Sequence, residues 1–211
     1  MKKNFTAVLA VIGWFAIITQ YVLMLENRGA SIPETTIRFF SFFTILTNLL
    51  VAVYFTYLFF MSKANPGFRE NSGTLTAITI YTTMVGLVYQ VALRHVWQPQ
   101  GLQLVVDELL HSVMPALVII FWCFYGTTKP IKYSQITSWS IYPSAYLTYI
   151  LVRGSFSNFY PYPFVDVSNL GIAKALSNAA VLLFLFVVLS ATTIAIVKAK
   201  TGIIGSNEPH D

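Results

Sequence analysis

Long apolar segments recur along this chain of 211 residues, and they restrict its fold more than any other feature of the sequence. The segments are continuously apolar, without the alternation that marks a barrel strand, and several reach the roughly 20 residues that a helix needs to cross a bilayer. Only 10% of the residues are charged, whereas soluble domains usually contain about 25%. Because helices satisfy their own backbone hydrogen bonds in lipid, the sequence predicts an all-α, polytopic membrane protein.

Polar and turn-forming residues divide the apolar sequence into six predicted transmembrane helices. Their approximate bounds are 5–25, 35–61, 75–97, 105–125, 136–152 and 172–197, and a polar tail, 198–211, follows the last one. The fifth helix is short and contains Pro143 among several hydroxyl-bearing residues, so it needs neighbouring helices to shield it from lipid. No internal repeat and no domain boundary is evident in the sequence. The whole chain is therefore expected to form one transmembrane domain, a six-helix bundle.

The distribution of basic residues predicts how this bundle is oriented. Six spans place both termini on one side of the membrane. If that side is the cytoplasm, the basic residues inside are Lys2, Lys3, Lys63, Arg69, Lys129, Lys132, Lys198 and Lys200. Those outside are then the fewer Arg28, Arg38, Arg94, Arg153 and Lys174. The positive-inside rule therefore predicts cytoplasmic N- and C-termini. The net charge of +5 thus reflects topology, and nucleic acid is not expected as a partner.

The second predicted helix carries a stripe of polar side chains. Thr44 and Asn48 are one helical turn apart, and Ser41 and Arg38 continue the same face towards the start of the helix. A threonine in lipid can bond back to a carbonyl of its own helix, but the Asn48 amide is expected to face the bundle interior. By the predicted topology, Thr44 lies in the outer half of the bilayer.

A second polar group lies on the fourth predicted helix, which begins at the same face of the membrane. Asp107 and His111 are four residues apart, so the carboxylate can bond one imidazole nitrogen and raise the basicity of the other. Arg94, at the end of the third helix, and Asp166, in the loop before the sixth, are expected at a similar depth. These side chains are predicted to line one cavity with the polar stripe of the second helix.

This combination of residue types suggests nucleophilic catalysis. A hydroxyl is a weak nucleophile and needs an adjacent base, which His111 could be, with Asp107 behind it. The structural alternative is that Thr44 bonds to its own helix and that His111 only joins neighbouring helices. A metal or haem held by His95 and His111 is disfavoured, because no second pair of ligands accompanies them. The single cysteine, Cys123, excludes an intrachain disulfide and a cysteine-based metal cluster.

Three short motifs occur in order along the chain. They are Phe42-Phe-Thr-Ile-Leu-Thr-Asn-Leu-Leu50 on the second helix, His111 followed by Pro115 on the fourth, and Tyr162-Pro-Phe164 before the sixth. Together with the six-helix layout, they resemble the androgen-induced-protein (FAR-17a/AIG1-like) membrane family, and most closely its bacterial branch, often labelled Pr6Pr. The resemblance spans almost the whole chain. It implies an integral protein of the bacterial inner, or cytoplasmic, membrane.

The resemblance also implies a function. Characterised eukaryotic members of that family are threonine hydrolases that cleave fatty acid esters of hydroxy fatty acids with an intramembrane Thr and His. These roles would fall on Thr44 and His111. Thr47 and Ser41 give competing alignments for the nucleophile, and the spacing from His111 to Pro115 is one residue shorter than in the animal proteins. We therefore expect a membrane-embedded lipid ester hydrolase that needs no cofactor and acts on membrane lipids or a fatty acyl ligand.

Other polar residues are expected to support this chemistry. Asp107 would orient His111, and Asn48 or Arg94 would stabilise the oxyanion. An arginine also suits a lipid carboxylate or phosphate. The candidate substrate-binding residues are Arg38, Asp166 and Tyr162.

The rival hypothesis is a non-catalytic lipid- or small-molecule-binding protein, or a transporter, that uses the same polar cavity. Arg94, Glu108 and Asp166 would then form a charge network for gating or proton coupling. The two hypotheses differ at Thr44. An enzyme needs this hydroxyl for turnover, whereas a binding protein without it loses only part of its affinity.

Overall fold

The computed structural model describes residues 1–64, 72–126 and 131–206, and every regular element in these residues is a helix. The α-helices are α1 (Lys2–Glu26), α2 (Ile32–Phe39), α3 (Phe43–Ala64), α4 (Ser72–Val88), α5 (Leu102–Glu108), α6 (Met114–Tyr125), α7 (Gln135–Ser157), α8 (Val167–Leu170) and α9 (Ile172–Ser206). A first π-helical segment, Tyr89–Leu93, continues α4, and a second, Leu109–Val113, joins α5 to α6. The all-α prediction is confirmed for the described residues. The chain divides into two units, Met1–Gly126 and Thr127–Asp211.

Five helical spans in the described residues are long and apolar enough to cross a membrane. They are Lys2–Glu26, Phe43–Ser62, Gly73–Leu93, Leu102–Tyr125 and Ile172–Thr201. These spans agree with the prediction of an integral, polytopic membrane protein. α7 has 23 residues, but its Ser, Thr, Tyr and Pro side chains make it too polar to join the set. The count of six spans, the single domain and the orientation of the termini stay predictions.

The second predicted helix is wrong as a single element, because the chain turns at residues 40–42 between α2 and α3. At this turn the N–H of Ser41 bonds to the Arg38 carbonyl, three residues back, so the α-helical pattern ends. The Ser41 hydroxyl donates to the Ile37 carbonyl at 2.7 Å, which gives that carbonyl the donor it lacks at the helix end. The predicted polar stripe is therefore split, with Arg38 on α2 and Thr44 on α3.

Three further helix ends differ from the predicted ones, and one of them is the end of the fifth helix, which lies at Ser157 and not at Val152. The third predicted helix ends at Leu93 and not at Trp97, because the chain turns there towards Gly101. Gly101 has a φ of 58°, in the region that favours glycine, and it precedes α5 directly. The last helix continues to Ser206, through most of the predicted polar tail. Residues 65–71 and 127–130 of the predicted loops, and 207–211 of the tail, lie outside the described part of the chain.

Small residues let α1 and α3 pack closely in the first unit. A Cβ added to Gly13 would lie only 3.1 Å from the Cβ of Ala52. Such close approach favours van der Waals packing, which drives helix association in lipid. Across the same interface, the Trp14 indole donates a hydrogen bond to the Thr56 hydroxyl at 3.1 Å. These contacts hold α3, which carries Thr44, against α1.

α4 packs against α6 through contacts near both of its ends. At one end, the Trp122 indole donates to the Thr76 hydroxyl at 2.9 Å. At the other, a Cβ added to Gly86 would lie 3.2 Å from the Cβ of Pro115 and 3.3 Å from the carbonyl oxygen of His111. Glycine is therefore what permits this approach. The first π segment begins three residues after Gly86 and is thereby brought beside the second.

In the second unit, the aromatic loop after α7 is tied to α9. The rings of Tyr162 and Phe164 stack with their centroids 5.2 Å apart, and a short 3₁₀ turn, Pro163–Val165, includes the second of them. The side-chain amide of Asn178 on α9 donates to the Phe164 carbonyl at 2.8 Å. This bond anchors the loop to the helix that follows it.

Candidate functional site

Polar side chains join the two π segments and their neighbouring residues in the first unit. We call this set the π cluster, and it consists of Tyr89, Gln90, Arg94, Asp107, Glu108, His111 and Ser112. A π turn contains one residue more than an α turn and therefore changes the direction of the side chains around it. Here the polar side chains of both segments meet each other. Such π segments are frequent at functional sites.

The backbone shows how each π segment arises. The N–H of Arg94 bonds to the Tyr89 carbonyl, five residues back, at 2.8 Å. In the second segment, the N–H of Met114 likewise bonds to the Leu109 carbonyl. Pro115 follows at once, and in a regular α-helix its ring would crowd the carbonyl four residues earlier. The wider turn before the proline relieves this clash.

Asp107 orients the imidazole of His111, as the spacing of the two residues predicts. Nδ1 of His111 lies 2.9 Å from the carbonyl oxygen of Asp107 and 3.2 Å from Oδ1 of its carboxylate. Because a carbonyl oxygen only accepts, Nδ1 carries the hydrogen, and Nε2 of the neutral ring keeps its lone pair. The described hydrogen bond and the described ion-pair contact of this imidazole are both with Asp107, through Nδ1. Nε2 is therefore the nitrogen that can accept a proton.

Tyr89 belongs to the site, although the sequence analysis missed it. Its hydroxyl donates to Oδ2 of Asp107 at 2.5 Å, and its ring stacks on the His111 imidazole with a centroid separation of 4.3 Å. Tyr89 and Asp107 are only 3% and 5% exposed. One oxygen of the buried carboxylate thus accepts from the Tyr89 hydroxyl, and the other lies 3.2 Å from Nδ1 of His111. The sequence contained a feature that could have identified Tyr89, because Tyr89 and Gln90 are polar residues about one helical turn before Arg94.

The remaining bonds of the π cluster involve more exposed side chains. The Gln90 amide donates to the Ser112 hydroxyl at 2.9 Å. The Arg94 guanidinium pairs with Glu108 at 2.5 Å and also donates to Gln90 at 2.8 Å. Because the side chains of Arg94 and Glu108 are 43% and 30% exposed, their ion pair is worth only about 0–1 kcal/mol. Its main effect is to join the ends of the two helices.

Asn48 connects α3 with the second π segment. Its side chain is fully buried, and its amide nitrogen donates to the carbonyls of Thr44 at 2.9 Å and Leu110 at 3.2 Å. An amide with both hydrogens engaged has none left for an oxyanion. This geometry corrects the role expected for Asn48, which is tied to two backbone carbonyls instead.

The three candidate nucleophiles are all buried near the start of α3. Thr44 is 7% exposed, Ser41 is 1% exposed, and Thr47 is not exposed at all. The described hydrogen-bond partner of the His111 imidazole is Asp107. An indirect link joins Thr44 to His111, because Asn48 bonds both the Thr44 carbonyl and the residue that precedes His111.

The three candidate substrate-binding residues lie outside the π cluster. Arg38 on α2 pairs with Glu34, one turn earlier, at 2.7 Å. In the second unit, the Asp166 carboxylate caps α8 by accepting from two of its backbone N–H groups. Tyr162 is the residue that stacks on Phe164. Their roles in binding a substrate stay predictions.

Within residues 1–64, 72–126 and 131–206, no three His, Cys, Asp or Glu side chains lie close enough together to hold a metal ion. His95 is exposed in the turn after the first π segment, whereas His111 is bonded to Asp107. The two histidines are thus in different environments.

Comparisons of the chain with protein-family models, with curated proteins and with solved structures gave no match. The family resemblance stays a prediction. The function is therefore inferred from the side chains of the π cluster and of α3.

Proposed function

We propose that this protein is a membrane-embedded hydrolase of lipid esters, with His111 as general base and Thr44 as nucleophile. The observation that carries the proposal is the contact of His111 with the buried Asp107, which leaves Nε2 able to accept a proton. A hydroxyl becomes nucleophilic when a base that is oriented by a carboxylate takes its proton. Tyr89 supports the same role, because it holds the second oxygen of Asp107 in place.

In the proposed reaction, Oγ1 of Thr44 attacks the ester carbonyl carbon while Nε2 of His111 takes the hydroxyl proton. The tetrahedral intermediate then collapses, the ester C–O bond breaks, and the imidazolium gives its proton to the leaving alkoxide, which departs as an alcohol. A water molecule attacks the acyl-threonine with His111 again as base, which releases a fatty acid and restores the Thr44 hydroxyl. Throughout, Asp107 keeps the proton on Nδ1 and stabilises the imidazolium.

Arg94 is the proposed contact for the oxyanion. Its guanidinium carbon lies 5.7 Å from the centre of the Tyr89 ring, and so it is next to the stacked tyrosine and histidine. A guanidinium has five N–H donors, and the bonds to Gln90 and Glu108 use only part of them. A positive group beside the reacting carbonyl would stabilise the negative charge that develops there.

The proposed topology has six membrane spans with both termini in the cytoplasm. α7 has 23 residues, and at about 1.5 Å per residue this length suffices to cross the hydrocarbon core despite its polarity. The π cluster then belongs to the outer half of the bilayer, since it lies between the end of α4 and the start of α6. The proposed location is the bacterial cytoplasmic membrane, and the proposed substrates are fatty acid esters of hydroxy fatty acids. The proposed substrate contact in the first unit is Arg38.

A second candidate function is a lipid- or small-molecule-binding protein or transporter. The observation that favours it is the exposed ion pair of Arg94 and Glu108, which joins the ends of two helices beside the buried Asp107. Such pairs can open and close as a ligand or a proton enters. In this case Thr44 would contribute to affinity and would not react.

Substitution of Thr44 separates the two functions. Thr44→Ala is expected to abolish hydrolysis of long-chain esters by the purified protein in detergent, while Thr44→Ser keeps part of the rate, because a hydroxyl remains. Thr79→Ala is the matched control, since Thr79 is also buried but its hydroxyl bonds only to the Leu75 carbonyl. Equal rates for wild type and Thr44→Ala would show that the hydrolase proposal is wrong. Binding without turnover, with graded losses of affinity, would favour the second candidate.

A further inference from the structure

One carbonyl of the second π segment has lost its donors within the helix. The N–H of Met114 bonds to the Leu109 carbonyl, five residues back, and is therefore not available to Leu110, four residues back. The π-helical partner of Leu110 would be residue 115, which is proline and has no N–H. A buried carbonyl without a partner destabilises the folded state, so a donor from elsewhere is needed.

Asn48 supplies this donor from α3. Its amide nitrogen lies 3.2 Å from the Leu110 carbonyl oxygen and 2.9 Å from that of Thr44. Both neighbours are oxygens that only accept, so the NH₂ end of the amide must face them, and the opposite orientation would place oxygen against oxygen. Because Asn48 is fully buried, water does not compete for these two bonds.

α4 holds the same segment from another side. Gly86 approaches both Pro115 and the His111 carbonyl so closely that an added Cβ would lie 3.2 and 3.3 Å from them. Because Pro115 has no N–H, it also removes the α-helical donor of the His111 carbonyl. Gly86 lets α4 pack against this carbonyl. The segment that carries His111 is thus held by Asn48 of α3 and Gly86 of α4.

We propose that Asn48 is a positioning residue, whose amide replaces the N–H that Pro115 lacks and thereby fixes the segment of His111 relative to Thr44. The catalytic meaning of this assignment rests on the proposed function, but the coupling between Asn48 and Pro115 is a property of the fold alone. Asn48 does not contact the reacting atoms. Its loss therefore changes the alignment of nucleophile and base more than the binding of substrate.

A double-mutant cycle between Asn48 and Pro115 tests the proposal without any substrate. Asn48→Ala is expected to lower the thermal unfolding midpoint in detergent by about 5 °C and to shift the ¹⁵N signals of the His111 imidazole. Pro115→Ala restores an N–H that can serve Leu110. In the Pro115→Ala background, Asn48→Ala is expected to lower the unfolding midpoint by half as much as in the wild type, or less. The reason is that both substitutions change the donors available to the Leu110 carbonyl.

The control substitution is made at a residue whose side-chain hydrogen bond is described. The chain has three histidines, and the signals of His111 are assigned by their loss in His111→Gln. Thr79 is a buried threonine whose hydroxyl bonds to its own helix. The effects of Thr79→Ala and Pro115→Ala on the unfolding midpoint are expected to be additive, and Thr79→Ala is expected to leave the His111 signals unchanged. Additive effects of Asn48→Ala and Pro115→Ala, or unchanged His111 signals in Asn48→Ala, overturn the proposal. If Asn48→Ala alone does not fold, the double variant is expected to recover the fold, and its failure to do so overturns the proposal as well.

Kinetics then decide the catalytic part separately. If the wild type hydrolyses esters, Asn48→Ala is expected to lower kcat by about 10- to 100-fold with KM changed by less than about twofold. A rise in KM with unchanged kcat would instead make Asn48 a binding residue and contradict its positioning role. If the wild type hydrolyses no ester while the cycle shows coupling and the His111 signals move, the proposed function fails and the positioning of His111 by Asn48 is supported.

Discussion

Two polar regions of the first unit satisfy their side chains in opposite ways. The threonine segment of α4 consists of Thr76, Thr79, Thr82 and Thr83. Three of its hydroxyls bond to the carbonyl four residues earlier in the same helix, at 2.7 to 2.9 Å, and Thr76 accepts a bond from Trp122. In the π cluster, by contrast, three side-chain bonds join one helix to the next, those of Tyr89 to Asp107, Gln90 to Ser112 and Arg94 to Glu108.

The difference separates polar residues that a membrane helix tolerates from those that build a site. A threonine that bonds to its own helix is satisfied in lipid and needs no partner from a neighbouring helix. A buried carboxylate such as that of Asp107 has only acceptors, so a donor must come from another side chain, here the Tyr89 hydroxyl, with the His111 imidazole 3.2 Å from the second oxygen. Polarity within a span is therefore weak evidence of function, whereas bonding between helices around a charged group is stronger evidence.

The largest effect within this comparison is expected at the centre of the π cluster. Asp107→Asn replaces one acceptor oxygen with an NH₂ group that opposes the Tyr89 hydroxyl or Nδ1 of His111. Hydrolysis should fall by about 10²- to 10⁴-fold, and the unfolding free energy by about 2 kcal/mol. Ester hydrolysis and thermal unfolding in detergent measure the two effects. Wild-type activity in Asp107→Asn would remove the carboxylate from the mechanism.

A smaller effect is expected at Tyr89. Tyr89→Phe keeps the ring that stacks on His111 but removes the donor to Asp107. We expect a loss of about 1 kcal/mol in unfolding free energy and about a tenfold lower hydrolysis rate. Chemical denaturation in mixed micelles and the ester assay provide the measurements. An unchanged hydrolysis rate in Tyr89→Phe would show that the Tyr89 hydroxyl does not contribute to catalysis.

The exposed part of the π cluster should matter less. Glu108→Gln removes the charge that pairs with Arg94, and because this pair is partly exposed, the unfolding free energy should fall by up to about 1 kcal/mol. The difference from wild type should shrink as salt is added, since salt screens exposed charges. A loss that is large and independent of salt would contradict the description of this contact as a weak, exposed ion pair.

The smallest effect is expected in the threonine segment. Thr82→Val keeps the shape of the side chain and removes only the hydroxyl that bonds to the Ile78 carbonyl. The unfolding free energy should change by less than about 0.6 kcal/mol, with no change in hydrolysis. The same assays apply. If Thr82→Val reduced activity as much as Tyr89→Phe, the distinction between the two regions would not hold.

Some of these features follow from the sequence and others depend on packing. The helical class follows from continuous apolar runs, and the Asp107–His111 contact follows from a spacing of four residues on one helix. The break at residues 40–42 has no proline or glycine to announce it. The contact of Tyr89 with Asp107 joins residues 18 positions apart, which lie on two different helices. Local spacing cannot predict such a contact, because it depends on how the two helices pack.

The most direct test of the central claim is covalent labelling with a fluorophosphonate probe, read out by mass spectrometry of the purified protein. We expect the label on Thr44, and not on Ser41, Thr47 or the threonine segment, because only Thr44 is proposed to have a base that can take its proton. His111→Ala should abolish the labelling without unfolding the protein. A label on another residue, no label at all, or equal labelling of wild type and His111→Ala would contradict the claim that the π cluster activates Thr44.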